Sequence, residues 1–222
     1  MSKVKNKLIG IDADITKVAL TVMSYPDGER LDTISLKRKG KSYDLNSLFG
    51  LYQDVAHYLT ANIRYSDIKM VAIEDYGTSR QHRLSSFKGE VLGSLKLSFK
   101  SKGIPVFFSG SRIVKKKKVY ISKVMMSPST IKKFFYGNGS MKKGKSNKGF
   151  LIAYKKFGLE FVDDDALDSF VIAELCRDIL LTEEGRIHLI GRDLGKKEQD
   201  VVTKYVKDRS MEINGKIVRE DY

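Results

Sequence analysis

Two short apolar runs that each end in an acidic residue constrain the fold more than any other feature of this sequence. The first is Leu8-Ile9-Gly10-Ile11, which precedes Asp12, and the second is Met70-Val71-Ala72-Ile73, which precedes Glu74. Short apolar runs of this kind are typical of buried strands. A carboxylate at the end of a buried strand is costly unless a cation or a hydrogen-bond donor meets it. The sequence therefore predicts two carboxylates side by side at one edge of a sheet.

The order of the other elements predicts an α/β fold. Three strands are followed by helix, strand, helix, strand, a basic excursion and a last long helix, and Tyr25-Pro26-Asp27-Gly28 is a turn signal inside the first group. Right-handed crossovers then place the helices against a mixed sheet that begins with a meander and has the first strand at its centre. The predicted strands are 8–12, 18–23, 31–38, 70–73, 104–108 and 119–125, and the predicted helices are 45–63, 84–102, 130–136, 166–181 and 196–208.

The length of 222 residues fits one main domain with a short appendage. We expect the main domain over residues 1–182, with a basic excursion at 112–149, and an appended helix and hairpin over 183–222, the hairpin at Met211–Val218. The single cysteine, Cys176, lies in an apolar helical run, which excludes disulfides and cysteine-ligated zinc. No run approaches a membrane span, and the early acids argue against a signal peptide, so we expect a cytoplasmic protein.

The positive charge is concentrated in one central segment. Residues 91–159 contain seventeen Lys or Arg and no Asp or Glu, whereas the rest of the chain holds the other 24 of the 41 basic residues and all 27 acidic ones. Soluble surfaces normally mix charges of both signs. A surface that is basic throughout attracts a polyanion and releases its counterions. The segment therefore favours nucleic acid as the partner over a merely solvated surface or an acidic membrane.

A third acidic group opens the last long helix. It reads Asp163-Asp164-Asp165-Ala166-Leu167-Asp168. Asp165 and Asp168 share a helix face at a spacing of three, and Asp164 and Asp168 share one nearly as well at a spacing of four. Any single Asp at a helix start is also a candidate N-cap, which applies above all to Asp163 and Asp164. Carboxylates clustered in this way are typical ligands of Mg²⁺, and two such ions promote phosphodiester hydrolysis.

These segments, taken together, resemble the RuvC-type Holliday junction resolvases of the RNase H-like, retroviral-integrase superfamily. The resemblance covers about residues 7–181 and is carried by the two strand ends, by a basic Gly137-Asn138-Gly139-Ser140 element and by Asp165–Ala173. It implies an RNase H-like nuclease domain with a mixed five-stranded sheet, in which a three-strand antiparallel meander is extended by parallel strands and helices lie on both faces. It also implies a homodimer that nicks two strands of a four-way DNA junction with Mg²⁺ or Mn²⁺. The four catalytic and metal-binding acids of the family fall at Asp12, Glu74, Asp165 and Asp168.

The resemblance also implies DNA contacts in the basic segment and after Glu74. The two DNA-contacting lysines of the family fall at Lys132 and Lys143. Where the family has Pro and a small residue after the first acid, this chain has Ala13 and Asp14, and the family's wedge position falls on Gly77. The candidate DNA-binding residues are Lys115, Lys116, Lys117, Lys132, Lys133, Lys142, Lys143, Lys145, Lys148, Tyr76, Arg80 and Arg83.

Two other functions are compatible with the same features. One is a related RNase H-like nuclease that acts on other branched DNA or on RNA–DNA hybrids, because a fold does not fix the substrate. The other is a non-catalytic DNA-binding protein of the same fold, which would be expected to lack one of the acids. An actin-like ATPase is disfavoured, because phosphate-binding glycines do not follow Asp12.

Overall fold

The computed structural model describes residues 6–39, 45–74, 126–139 and 148–213, and between these it describes 92–93, 95–97, 99, 101–104, 106–107, 110–114 and 117–121. The strands are β1 (Lys7–Ala13), β2 (Lys17–Ser24), β3 (Arg30–Lys37), β4 (Ile68–Ile73), β5 (Val106–Phe107), β6 (Gly110–Val114) and β7 (Lys117–Ile121). The α-helices are α1 (Leu45–Asn62), α2 (Pro128–Tyr136), α3 (Lys148–Phe157), α4 (Asp164–Glu183) and α5 (Lys196–Ile213). Two 3₁₀ helices span Tyr65–Asp67 and Ile187–Ile190. Every helix within these residues is too short or too polar to cross a lipid bilayer.

The main sheet is mixed and has β1 at its centre. Its order is β3-β2-β1-β4, and the two-residue strand β5 pairs with the outer side of β4. β1, β2 and β3 form an antiparallel meander, whereas β1, β4 and β5 run parallel. The predicted mixed α/β class is confirmed. A separate antiparallel pair, β6 with β7, begins two residues before the predicted basic excursion and otherwise lies inside it. β6 was not predicted, and residues 122–125 of the predicted strand 119–125 lie outside the described residues.

Helices cover both faces of this sheet, as the sequence predicts. Successive strand residues point to opposite faces, so β1 sends Leu8 to one side and Ile9 to the other. The Ile9 face packs against α1 through Leu51, Val55 and Leu59. The Leu8 face packs against α4. The described residues of the predicted helix 84–102 are helical up to Ser101, and they add Leu92, Leu95 and Phe99 to the Ile9 face.

The long helix α4 is buried around its whole circumference. Every residue from Ala166 to Leu181 is buried, because the sheet covers one side and the chain after residue 183 covers much of the other. Ile190, Val201 and Val202 belong to the same core cluster as α4. The predicted helix 196–208 is confirmed and extends to Ile213. The predicted hairpin at 211–218 is therefore wrong at its first three residues, which are helical, and its other residues lie outside the described part of the chain. The domain boundary at residue 182 stays a prediction.

One glycine allows α4 to lie directly on the central strand. A Cβ atom at Gly10 would lie 2.1 Å from the carbonyl oxygen of Ser169 and 2.6 Å from the backbone nitrogen of Ala173. Both distances are too short for real Cβ contacts, so only glycine allows this approach of strand and helix. The approach matters for function because β1 ends in Asp12 and α4 carries Asp168.

Gly10→Ala is expected to lower the unfolding free energy by about 3 kcal/mol, because α4 must move away from β1 to admit the methyl group. Equilibrium urea unfolding measures this loss. Gly50→Ala is the matched control, since a Cβ at Gly50 in α1 meets none of the described atoms within 4 Å. That control should be neutral or slightly stabilising. Equal stability of Gly10→Ala and the wild type would contradict the direct packing of α4 on β1.

Candidate active site

The parallel pairing of β1 and β4 brings Asp12 and Glu74 together. Ile11 is in register with Ile73, so the residue that follows each of them lies at the same end of the sheet. The Glu74 amide donates a hydrogen bond to the Ile11 carbonyl oxygen at 3.0 Å, which continues the ladder past the end of β4. The two acids predicted from the strand ends therefore lie on neighbouring strands, as expected.

Asp168 approaches the same place from α4. The helix is fixed on the sheet one residue later, where the buried Ser169 hydroxyl lies 2.8 Å from the Thr21 hydroxyl of β2 and donates to the Ala166 carbonyl oxygen at 2.9 Å. Together with the close contact at Gly10, these bonds leave little freedom for the first turns of α4. Asp168 is only 8% exposed. Its carboxylate is thus held at the strand ends.

Asp12, Glu74 and Asp168 form a carboxylate trio with the geometry of a metal site. One oxygen from each side chain lies within 4.8 Å of the others. Three carboxylates this close repel one another unless a cation or hydrogen-bond donors lie between them. Oxygen donors of this kind suit a hard divalent cation such as Mg²⁺ or Mn²⁺. The donor set therefore fits the metal that the sequence predicts.

Asp165, the fourth predicted acid, does not belong to the trio. Its Oδ2 atom lies 3.0 Å from the ammonium nitrogen of Lys17, which opens β2. The same ammonium lies 2.6 Å from Oδ2 of Asp163. The structure therefore brings three of the four predicted acids together and pairs the fourth with a lysine.

Asp163 is the N-cap of α4. The sequence predicted either this role or that of a metal ligand for the acids at the start of this helix. Its Oδ1 atom accepts a hydrogen bond from the Ala166 amide at 2.8 Å. Burial opposes the charge of both partners, but the hydrogen bond and charge of Lys17 outweigh it and hold the pKa of Asp163 below its ordinary value. Burial likewise lowers the pKa of Lys17, but its bonds to Asp163 and Asp165 outweigh that effect and raise the pKa overall. Both partners therefore stay charged at neutral pH.

Lys17 is the residue near this site that the sequence did not single out. The signal was its position five residues after Asp12 and directly before the predicted strand 18–23. Asp14 closes the turn between the two strands, because its amide donates to the Lys17 carbonyl oxygen and its Oδ1 atom accepts from the Ile15 amide, both at 2.8 Å. This turn directs the start of β2 back towards α4.

Part of the predicted DNA-binding set is placed by the structure. Lys132 and Lys133 lie on α2, the first half-buried and the second exposed. The N-cap of α2 is Ser127 and its first residue is Pro128. Pro128 lies two residues after Met126, which forms a backbone bridge with Glu74. Lys117 begins β7, and an exposed Lys148 begins α3, a helix that was not predicted. Eight predicted residues lie outside the described part of the chain, namely Lys115, Lys116, Lys142, Lys143, Lys145, Tyr76, Arg80 and Arg83.

The arrangement of the sheet and of α4 is that of the RuvC-type Holliday junction resolvases. Thermus thermophilus RuvC has a TM-score of 0.54 and 18% sequence identity to this chain, and the match covers 81% of this chain and 97% of RuvC. The same enzyme in complex with a Holliday junction substrate gives 0.55 and 17%, with coverages of 82% and 97%. The yeast mitochondrial Holliday junction resolvase Ydc2 gives 0.40 and 13%, with coverages of 95% and 88%.

The likeness to RuvC shows the fold, and it confirms the resemblance predicted from the sequence motifs. The sequence itself matches no protein-family model and no curated protein. The activity must therefore be argued from the site.

Proposed function

We propose that this protein is a metal-dependent endonuclease that resolves four-way DNA junctions by paired nicking as a homodimer. The observation that carries the proposal is the carboxylate trio, in which one oxygen each of Asp12, Glu74 and Asp168 lies within 4.8 Å of the others. The RuvC-like fold and the acid-free basic segment support the choice of substrate.

The trio would hold Mg²⁺ or Mn²⁺, and Asp165 would complete a four-carboxylate site. When bound between carboxylates, such an ion polarises a phosphodiester and lowers the pKa of a bound water, and a pair of ions also stabilises the leaving oxygen. The protein's part is to fix the oxygens in advance. Asp12 and Glu74 are set by the strand register and Asp168 by the packing of α4 on Gly10, so little reorganisation is required when substrate arrives.

The basic segment would hold the DNA backbone over this site. Lys132 and Lys133 lie on a helix that begins next to the backbone bridge between Met126 and Glu74. Lysines of this kind contact phosphates and position DNA without reading its sequence. The related structure of RuvC with a Holliday junction substrate supports a junction as the substrate here. A homodimer would present two such sites to the two strands that must be cut, and we propose a cytoplasmic, nucleoid-associated location.

Cleavage of a set of synthetic substrates tests this function. A four-way junction, a flap, an RNA–DNA hybrid and a linear duplex are each incubated with the full chain in Mg²⁺ and, as a control, in EDTA. Preferential and symmetric nicking of the junction, lost in EDTA, is the expected result.

Other outcomes separate the alternatives. Cleavage of flaps or hybrids in preference to the junction would replace the resolvase by a related nuclease of the same fold. Tight junction binding without cleavage of any substrate would leave a DNA-binding protein. Cleavage that persists in EDTA would contradict the metal-dependent chemistry.

A further inference from the structure

We infer that Lys17 is a positioning residue that holds Asp165 apart from the carboxylate trio, and so sets how tightly the site binds divalent cations. The inference rests on the proposed function in one respect, namely that the trio is a metal site. It concerns the fourth carboxylate and the cation with which it is already paired.

The geometry makes Lys17 a competitor for Asp165. Its ammonium nitrogen lies 3.0 Å from Asp165 Oδ2, which is the distance of a close ion pair. An ammonium group and a divalent cation cannot both occupy the same side of that oxygen. Recruitment of Asp165 to a metal therefore requires that the ion pair opens or that the ammonium moves to another partner.

Lys17 is held in this position from two directions. Its side chain is only 15% exposed, whereas those of Asp163 and Asp165 are 38% and 39% exposed, so the lysine is the more confined partner of each pair. Asp163 accepts a 2.6 Å bond from the same ammonium, and Asp163 is itself fixed, because its other oxygen caps α4. The lysine thus has a fixed anchor in Asp163 and a second partner, Asp165, that is a predicted metal ligand.

This arrangement also provides a place for the ammonium when Asp165 leaves. The bond to Asp163 is the shorter of the two, and it need not break when Asp165 turns towards the trio. The ion pair with Asp165 therefore weakens metal binding, so removal of the lysine charge should strengthen it.

The test is calorimetric titration of the full chain with Mn²⁺ in the absence of DNA. Lys17→Met keeps the aliphatic chain but removes the charge, and it should bind Mn²⁺ about tenfold more tightly than the wild type, because Asp165 can then reach the metal without first leaving an ion pair. Lys17→Arg keeps the charge and should bind as the wild type does. Lys69→Met is the matched control. Lys69 lies at the start of β4, at the other end of the strand from Glu74, and makes a 2.6 Å ion pair with Glu184 after the end of α4. The Mn²⁺ affinity of this variant should equal that of the wild type.

A second variant separates positioning from a general effect of charge. In an Asp165→Asn background, Lys17→Met should give a clearly smaller gain in Mn²⁺ affinity, because the carboxylate that the lysine restrains is gone. A purely structural role would lower the melting temperature of Lys17→Met and leave its Mn²⁺ affinity at the wild-type value, which would overturn the inference. A full tenfold gain in the Asp165→Asn background would overturn the route through Asp165.

Failure of this inference and failure of the proposed function give different results. If Lys17→Met and the wild type bind Mn²⁺ equally while the wild type cleaves junctions, the inference falls and the function stands. If Lys17→Met binds Mn²⁺ more tightly while no nucleic acid is cleaved, the inference stands and the nuclease function falls.

Discussion

Asp12→Asn is expected to reduce junction cleavage by about 10³-fold or more while leaving junction binding intact. The substitution removes one of three convergent carboxylates and keeps the size of the side chain. A loss of this size equals about 4 kcal/mol of transition-state stabilisation, which is in the range expected when a metal site is disabled. Single-turnover cleavage at saturating Mg²⁺, together with a gel-shift measurement of junction affinity, separates the two effects.

Asp14→Asn is the matched control for that experiment. Asp14 lies two residues further along the chain, and its Oδ1 atom accepts a hydrogen bond from the Ile15 amide at 2.8 Å, which an asparagine oxygen can also accept. Cleavage by Asp14→Asn should stay within a few-fold of the wild type. Loss of junction binding in Asp12→Asn would show that Asp12 is needed for structure, and near-normal cleavage would remove Asp12 from the active site.

The second large effect is expected at Arg177, which lies at the centre of a buried ionic cluster on α4. Its side chain is 4% exposed. Its guanidinium donates to the carbonyl oxygens of Pro26 and Leu189, both at 2.7 Å, and lies 3.3 Å from the Glu174 carboxylate. It therefore joins the β2–β3 turn, α4 and the chain after residue 183 at one point. Gly28 allows this contact, because a Cβ there would lie 2.6 Å from the guanidinium carbon.

The acids of this cluster depend on their arginine partners. Burial, reinforced by the neighbouring Glu174 carboxylate, raises the pKa of Asp178, whereas Arg192, which lies 2.6 Å from its Oδ2 atom, and Arg177 lower it and so favour the charged form. Burial also raises the pKa of Glu174. Buried acids with so little access to water lose much of their stabilisation when one of the two arginines is removed.

Arg177→Met should therefore lower the unfolding free energy by about 3–5 kcal/mol, the range found when one partner of a buried ion pair is removed. Chemical denaturation monitored by circular dichroism measures the change. The control is Arg186→Met, because Arg186 is 41% exposed and its 3.2 Å ion pair with Glu184 lies at the surface. Such pairs contribute at most about 1 kcal/mol. If both variants lost the same small amount of stability, the cluster would not hold the C-terminal part of the chain on α4.

The sequence predicted the parts of the site that depend on local pattern. Asp12 and Glu74 could be predicted because a short apolar run indicates a buried strand, and an acid directly after such a run is unusual unless it has a partner. Asp168 could be predicted because its helical spacing places it on the same helix face as the acids at the helix start. Spacing left Asp164 and Asp165 as alternatives. In the structure Asp164 is exposed and Asp165 forms an ion pair with Lys17.

The features that the sequence missed depend on contacts between distant segments. Lys17 contacts Asp163 across 146 residues of chain, and no local pattern indicates which strand residue faces the start of a helix. Helical periodicity would place three polar residues of α4 on the exposed side of an amphipathic helix, namely Glu174, Arg177 and Asp178. They are buried instead because the chain after residue 183 packs against that side of α4. Tertiary packing, and not helix periodicity, decided their environment.

Localisation of Mn²⁺ in crystals of the full chain by anomalous scattering tests the central claim most directly. We expect an anomalous difference peak for Mn²⁺ among Asp12, Glu74 and Asp168, with one oxygen of each at about 2.1 Å from the ion. The same peak should be absent from crystals of Asp12→Asn grown and soaked in the same way. Well-occupied Mn²⁺ sites elsewhere, with no peak at the carboxylate trio, would contradict the assignment of these three residues as a metal site.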